Sequence, residues 1–282
     1  MPEYCVTGGT GLIGAYLVKH LLERGDTVRT TVRNPDDAAK VGFLWEMKGA
    51  KERLQIMKAE NLVEGSYDEA IKGVNGVFHT ASPVAPPPNS NIQATYPAIL
   101  ASETLIDPCL KGTLNVLSSC LKASTVKRVV LTSSSATIRY CDNIQELSPL
   151  NESYWSDPEY CKQNNLWYAY AKTLAEKEAF HAAKESGIDL VVVNPGFVVG
   201  PLLTPKPTSS LILLLNIIKG SLGWYPNSTV GFVHIDDVVM AHLLAMDKKE
   251  AEGRFICSNT TDHWSKIIEM LKTKYPSYPF ED

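Results

Sequence analysis

The chain has 282 residues, enough for one large α/β domain or a core domain with a small lobe, and its 44% hydrophobic and 21% charged content is ordinary for a soluble globular enzyme. Its net charge of −4 argues against a nucleic-acid-binding surface. Six cysteines, at 5, 109, 120, 141, 161 and 257, show neither zinc-site spacing nor a secreted disulfide framework, so a cytoplasmic setting and no bound metal are expected.

An apolar run over Glu3–Thr7 predicts a first strand. It enters Gly8-Gly9-Thr10-Gly11-Leu12-Ile13-Gly14 and then an amphipathic stretch, so a helix is predicted over Gly11–Arg24. Strand, glycine turn and helix in that order build a site for a dinucleotide pyrophosphate. Glycine lets the backbone come close to the phosphates, and the helix N-terminus offers free N–H groups. The spacing is G-x-x-G-x-x-G, and the competing reading is an ordinary βα turn that happens to carry glycines. No signal peptide is expected, because Val6 runs straight into the turn.

A second strand, Thr27–Val32, ends on Arg33, with Lys40 beyond it and Asp36 and Asp37 in the turn after Pro35. An acidic residue here would hold a ribose 2′-hydroxyl, whereas a guanidinium accepts a 2′-phosphate. NADP(H) is therefore favoured over NAD; the rival reading is a solvated surface arginine. Further strands are predicted at Leu54–Lys58 and Gly76–Thr80, with a helix near Tyr67–Lys72 between them. The proline-rich stretch Pro83–Asn91 follows a strand C-terminus and is expected to border the ligand cleft.

A helix over Leu110–Ser124 leads to a strand over Arg128–Ser133, which ends Thr132-Ser133-Ser134-Ser135. Such a serine can hydrogen-bond a substrate carbonyl, although serine also suits a plain turn. The next helix, Leu166–Ser186, carries Tyr168 and Lys172 on one face. A phenol becomes a useful acid-base group when a nearby ammonium stabilises its phenolate. Alone, the spacing reads more readily as an exposed surface pair. Glycine turn, strand-end serine and Tyr-x-x-x-Lys together define a hydride-transfer site on a carbonyl or alcohol.

After a strand at Leu190–Asn194, Pro195, Pro201, Pro205 and Pro207 break the alternation. A smaller lobe is expected there, with a buried helix at Leu211–Ile218, a run too short to span a bilayer. A strand at Val230–Ile235 and a helix over Asp236–Met246 are expected to return to the core. The predicted fold is α/β: a Rossmann-type doubly wound parallel sheet with a smaller C-terminal substrate lobe. The core is assigned mainly to residues 1–194, with 230–247 returning, and the lobe to 195–282.

With these residues in place the chain resembles the extended short-chain dehydrogenase/reductases, and within them the dihydroflavonol reductase and cinnamoyl-CoA reductase group. Thr27–Pro35, Gly76–Pro83, Asn151–Cys161 and Phe232–Asp237 carry the likeness, which runs from Glu3 to Phe280. The stretches 41–46, 150–176, 200–211 and 263–269 are most similar to the branch that reduces a tetraketide α-pyrone carbonyl on the route to sporopollenin. The resemblance implies that Ser134, Tyr168 and Lys172 are catalytic. It implies cofactor contacts from Gly8, Thr10, Gly11, Leu12, Ile13, Gly14, Arg33, Lys40, Thr80, Ala81, Ser82, Tyr168, Lys172, Pro195 and Val198. Glu60 stands near the position of an adenine-contacting aspartate, and Arg139 where dihydroflavonol reductases place a substrate-reading asparagine. Substrate contacts are expected from Ser134, Arg139, Tyr168 and Ser210.

The implied cofactor is NADPH/NADP+, and the implied partner a small-molecule carbonyl substrate, without nucleic acid or a membrane span. The likeness also implies extra residues from Tyr96 to about Thr104, and a lobe that continues in relatives beyond Asp282. Three rival functions are a cinnamoyl-CoA or aldehyde reductase, a nucleotide-sugar epimerase or dehydratase holding NAD, and an impaired NADP(H)-binding paralogue. Arg33 weighs against the epimerase, and the presence of all three catalytic residues against the paralogue.

Overall fold

The computed structural model describes residues 1–83, 101–144, 146–147, 149–207 and 209–280, without the side chain of Ser209. The proline-rich stretch beyond Pro83 and residues 96–100 lie outside the described residues.

Six strands follow the predicted apolar runs: β1 (Glu3–Thr7), β2 (Thr27–Val32), β3 (Leu54–Lys58), β4 (Gly76–His79), β5 (Arg128–Thr132) and β6 (Leu190–Pro195). Later come β7 (Phe197–Val199), β8 (Thr229–His234), β9 (Gly253–Cys257) and β10 (Thr260–His263). Among the described residues seven strands form the main sheet, in the order β3-β2-β1-β4-β5-β6-β9, with every neighbouring pair parallel. The winding reverses between β1 and β4, so a crevice opens at their C-terminal ends.

Side chains alternate across the sheet, and each face is covered by helices. Val6, Val28, Val130, Val191 and Val193 meet α1 (Leu12–Arg24) and a later helix, Ile235–Asp247, on one face. Cys5, Val77, Val129, Leu131 and Val192 meet α4 (Asp68–Ile71), α5 (Asp107–Ala123) and α7 (Trp167–Ser186) on the other. Leu17, Val18, Leu21 and Leu22 of α1 are all fully buried. At about 1.5–3 kcal/mol each they contribute roughly 6–12 kcal/mol. The exposed Lys19–Glu23 pair on the same helix adds about 0.3–0.5 kcal/mol, so packing decides where α1 sits.

Two short helices for which the sequence analysis has no prediction, α2 (Ala38–Trp45) and α3 (Ala50–Arg53), bury Val41, Leu44 and Ala50 between β2 and β3. Helix α5 begins earlier than Leu110, because Pro108 is tolerated in a first helical turn. A π-helical turn, Ser102–Ile106, runs into it, so this part of the extra segment starts a helix. Helix α6 (Pro158–Gln163) precedes α7.

The region after β6 departs from the sequence reading in one respect. Strand β8 joins a second sheet, β10-β8-β7, rather than the core. What returns is the helix after it, α9 (Ile235–Asp247), and then β9 as the seventh strand of the main sheet. The second sheet, α8 (Ser209–Ile218) and α10 (Trp264–Lys274) share their own core, in which Phe197, Phe232 and Trp264 meet edge to face at 5.2–5.5 Å. Among the described residues no helix is long and apolar enough to cross a membrane.

Candidate active site

The glycine turn joins β1 to α1 at the crevice. Gly8 has φ +76°, and a Cβ there would meet the Ala81 Cα at 2.9 Å. Its N–H and that of Gly9 donate to the Thr31 carbonyl at 3.0 and 3.2 Å, and Gly11 N donates back to Gly8 O at 2.9 Å. Gly11 is the exposed N-cap of α1, with no side-chain cap hydrogen bond among the described residues. Thr10 and Ile13 are half-buried; Leu12 and Gly14 are buried beneath the turn. A cradle that added methyls would fill, at an open helix N-terminus, fits a dinucleotide pyrophosphate.

Thr7 ties the floor of the crevice together. Its hydroxyl accepts from Thr80 N and Ala81 N, both at 3.1 Å, and contacts His79 Nδ1 at 2.8 Å. With both acceptor positions used, the hydroxyl proton goes to His79 Nδ1, which fixes the histidine as the Nε2–H tautomer. Thr80 in turn donates to the Thr7 carbonyl at 2.6 Å. Burial first, and the Lys172 charge second, push His79 down to about 3, so it stays neutral.

Lys172 is 5% exposed; its Nζ donates to Thr132 O at 2.9 Å and Ser82 Oγ at 3.4 Å. It thereby joins α7 to the ends of β4 and β5. On the far side of β5, Thr132 Oγ1 meets His242 Nε2 at 2.7 Å, and His242 Nδ1 meets Val238 O at 2.7 Å. A carbonyl partner requires a proton on Nδ1, so Nε2 accepts from the threonine. Burial pushes His242 down to about 4.

Ser134 follows β5 in extended conformation and N-caps the short 3-10 turn Ser135–Thr137, its Oγ accepting from Ala136 N at 3.1 Å. Tyr168, half-buried one turn before Lys172, packs in the apolar cluster that contains Ala136. Helix and serine turn thus gather Ser134, Tyr168 and Lys172 around the C-terminal end of β5, and Lys172 reaches from there to Ser82, next in the chain to the Ala81 that abuts Gly8.

Arg33 is exposed just past β2 and makes no hydrogen bond or ion pair among the described residues. Lys40 is engaged by Asp37 at 2.8 Å, and Glu60 by Lys58 at 3.2 Å. Pro195 ends β6 and Val198 lies in β7, both buried. Arg139 donates to Thr229 O at 3.3 Å and Tyr140 OH at 2.7 Å, which links the serine turn to the second sheet. Ser210 donates to Val198 O at 3.2 Å, so its hydroxyl holds α8 to β7.

Behind Ser134 lies a buried polar network that the sequence reading missed. Ser133 Oγ donates to Glu176, and Asn194 Nδ2 lies 2.9 Å from Glu176 Oε2. Arg254 Nε donates to Glu176 Oε1 at 2.5 Å, with both side chains almost fully buried. Glu176 was detectable as the residue four after Lys172 on the same helix face. Arg254 carries no such local signal.

A model of the NAD dependent epimerase/dehydratase family matches residues 4–257. Tetraketide alpha-pyrone reductase 2 of Arabidopsis thaliana is 64% identical over 283 residues, covering 100% of this chain and 85% of that protein. Vestitone reductase from alfalfa (Medicago sativa) superposes with a TM-score of 0.81 at 32% identity, over 99% of this chain and 84% of the other. A yeast methylglyoxal/isovaleraldehyde reductase solved with NADPH gives 0.82 at 25% identity, over 97% and 83%. Sequence, sheet order and crevice agree: the chain belongs to the NAD dependent epimerase/dehydratase family, the extended short-chain dehydrogenase/reductases.

Proposed function

We propose that this protein is an NADPH-dependent reductase that converts a ketone of a tetraketide α-pyrone to the alcohol. What supports the reading is that Ser134 follows β5, Tyr168 packs in the cluster with Ala136, and Lys172 binds the last carbonyl of β5 and Ser82. The 64% identity to a tetraketide α-pyrone reductase supports the substrate.

The Gly8–Gly14 turn and the α1 N-terminus would hold the pyrophosphate. Arg33, free at the edge, would meet the 2′-phosphate, and Lys40 would join it on leaving Asp37. Glu60 would face the adenine end; Thr80, Ala81, Ser82, Pro195 and Val198 would line the nicotinamide end. When bound, the reduced nicotinamide supplies a hydride to the substrate carbonyl carbon. Ser134 hydrogen-bonds the carbonyl oxygen, and Tyr168 delivers its phenolic proton to that oxygen as charge develops there. Lys172, anchored on Thr132 O, stabilises the resulting phenolate and offers its remaining N–H to the ribose. The second sheet with α8 and α10 would form the substrate lobe, with Arg139 at its junction with the core. The six free thiols support a reducing, cytoplasmic setting.

The test is an NADPH-oxidation screen over a tetraketide pyrone, hydroxycinnamoyl-CoA esters, dihydroflavonols and simple aldehydes. The pyrone is expected to give the highest kcat/KM, with NADPH preferred over NADH. Tyr168→Phe is expected to bind NADPH as wild type does and to lose at least about a hundredfold in kcat. Wild-type turnover by Tyr168→Phe, or no turnover of the pyrone, would overturn the proposal.

A further inference from the structure

We infer that Glu176 and Arg254 are positioning residues for Ser134: their buried ion pair fixes the serine's backbone so that its hydroxyl faces the crevice. The inference rests on the proposed reductase reading in so far as Ser134 acts on substrate.

A buried ion pair is by itself weak grounds for stability, since well-packed apolar residues often serve as well. What singles this pair out is what each arm grasps. Arg254 uses all five of its N–H donors. Nε goes to Glu176 Oε1 at 2.5 Å; Nη1 goes to Glu152 O at 2.9 Å and Tyr154 O at 2.6 Å. Nη2 goes to Thr137 Oγ1 at 2.8 Å and Thr137 O at 3.4 Å. The Trp155 ring lies against the guanidinium, 3.7 Å from its carbon. No lysine reproduces this planar fork.

The contacts converge on the serine. Thr137 Oγ1 receives Arg254 Nη2 and Asn194 Nδ2, the latter at 3.0 Å, so its own proton is directed to Ser134 O at 2.9 Å. Asn194 Nδ2 also lies 3.3 Å from that carbonyl. The preceding residue, Ser133, is held by its side chain on Glu176 and by its N–H on Val193 O at 2.8 Å. With the carbonyl and the preceding residue both held, Ser134 keeps φ −161° and ψ 150° and its Oγ stays over Ala136 N. Glu176 is also two helical turns past Tyr168 on α7, so one carboxylate references the serine to the helix that carries the tyrosine. Misplacing a reacting group by about 1 Å costs on the order of a hundredfold in rate, the scale on which such a brace acts.

The test is the charge-free double variant Glu176→Gln/Arg254→Met. Removing both charges together strands neither, so the double variant is expected to keep a higher Tm than either single variant, although the Glu152, Tyr154 and Thr137 carbonyls lose a donor. NADPH affinity and KM for the pyrone should stay within about twofold, while kcat falls about ten- to a hundredfold. In protein without cofactor, the Ala136 amide resonance should move toward its position in Ser134→Ala. Recovery of wild-type kcat together with Tm, or an unmoved Ala136 resonance, would overturn the inference. If the double variant does not fold, Thr137→Val keeps the ion pair and removes only the hydroxyl relay. It should lower kcat about three- to tenfold with NADPH affinity unchanged, and an unchanged kcat refutes the relay. Wild-type protein that binds NADPH but reduces no carbonyl would defeat the reductase reading alone, because the Ala136 resonance still decides the positioning.

Discussion

Gly14→Ala tests the cradle most directly. The added methyl would sit 2.4 Å from Gly8 O, 3.0 Å from Gly8 C and 2.9 Å from Thr80 Oγ1. The Gly8 carbonyl has little room to retreat, because it accepts Gly11 N at 2.9 Å within a turn that already has φ +76° at Gly8. Replacing a helical glycine by alanine returns roughly 0.5–1 kcal/mol of helix propensity. Overpacking of this kind costs about 1–3 kcal/mol. The expected net loss is roughly 0–2.5 kcal/mol, or up to about 10 °C in Tm for a chain of this size. Affinity should suffer more than stability, because the turn must spread and carry its N–H groups off their targets. At least a tenfold rise in NADPH Kd is expected, about 1.4 kcal/mol. Fluorescence titration and thermal unfolding read both quantities. Gly42→Ala is the control: beyond its own helix backbone and chain neighbours, no atom of the described residues lies within 4 Å of the added methyl, so it should raise stability by about 0.5–1 kcal/mol and leave Kd alone. A Gly14→Ala protein with wild-type Tm and a Kd within twofold of wild type would refute the cradle.

Arg33→Ser should erase the preference for NADPH over NADH by weakening NADPH alone, by roughly 1.5–3 kcal/mol; equal losses for both nucleotides would show that Arg33 does not read the 2′-phosphate. The two buried histidines predict a pH dependence of stability. His79 is held down to about 3 and His242 to about 4, against 6.5 when exposed. Below about pH 6.5 the unfolded chain therefore takes up protons that the folded chain refuses. Stability is full above that pH and falls toward pH 4 by up to about 1.4 kcal/mol per pH unit for each histidine. His242→Gln should flatten the slope between pH 4 and 6 by one such share in urea unfolding, and an unchanged slope would contradict a neutral His242.

The core strands were legible because a parallel sheet covered on both faces demands short continuous apolar runs. Glu3–Thr7, Thr27–Val32 and Leu54–Lys58 could be bounded to the residue by turn chemistry on either side. The cradle and the Tyr168–Lys172 pair were legible for a related reason: each lies within one turn or one helical step, where spacing alone sets geometry. Strand β9 was not. Gly253–Cys257 is short, carries Arg254, and gains its meaning from pairing with β6, some sixty residues earlier. Strand β8 has the alternation of a core strand, but its partners, β7 and β10, are equally short and unmarked. Thr7, Thr132, Asn194 and Glu176 escaped notice because a buried polar side chain acquires a role only from partners that folding brings to it.

The place of Arg254 on the last strand of the sheet also sets an order of events during synthesis. Glu176 is translated 78 residues before Arg254 (254 minus 176). At about 5–20 residues per second the ribosome needs roughly 4–16 s to make the second after the first. During that interval the carboxylate has no guanidinium to meet, and closing the sheet over it would strand a charge at a cost of several kcal/mol. The close contacts of the glycine turn itself, by contrast, are to Thr31, Thr80 and Ala81, all before Ser82 in the chain. The contacts that shape the glycine turn and those that brace the serine are thus translated at different moments in the life of a nascent chain.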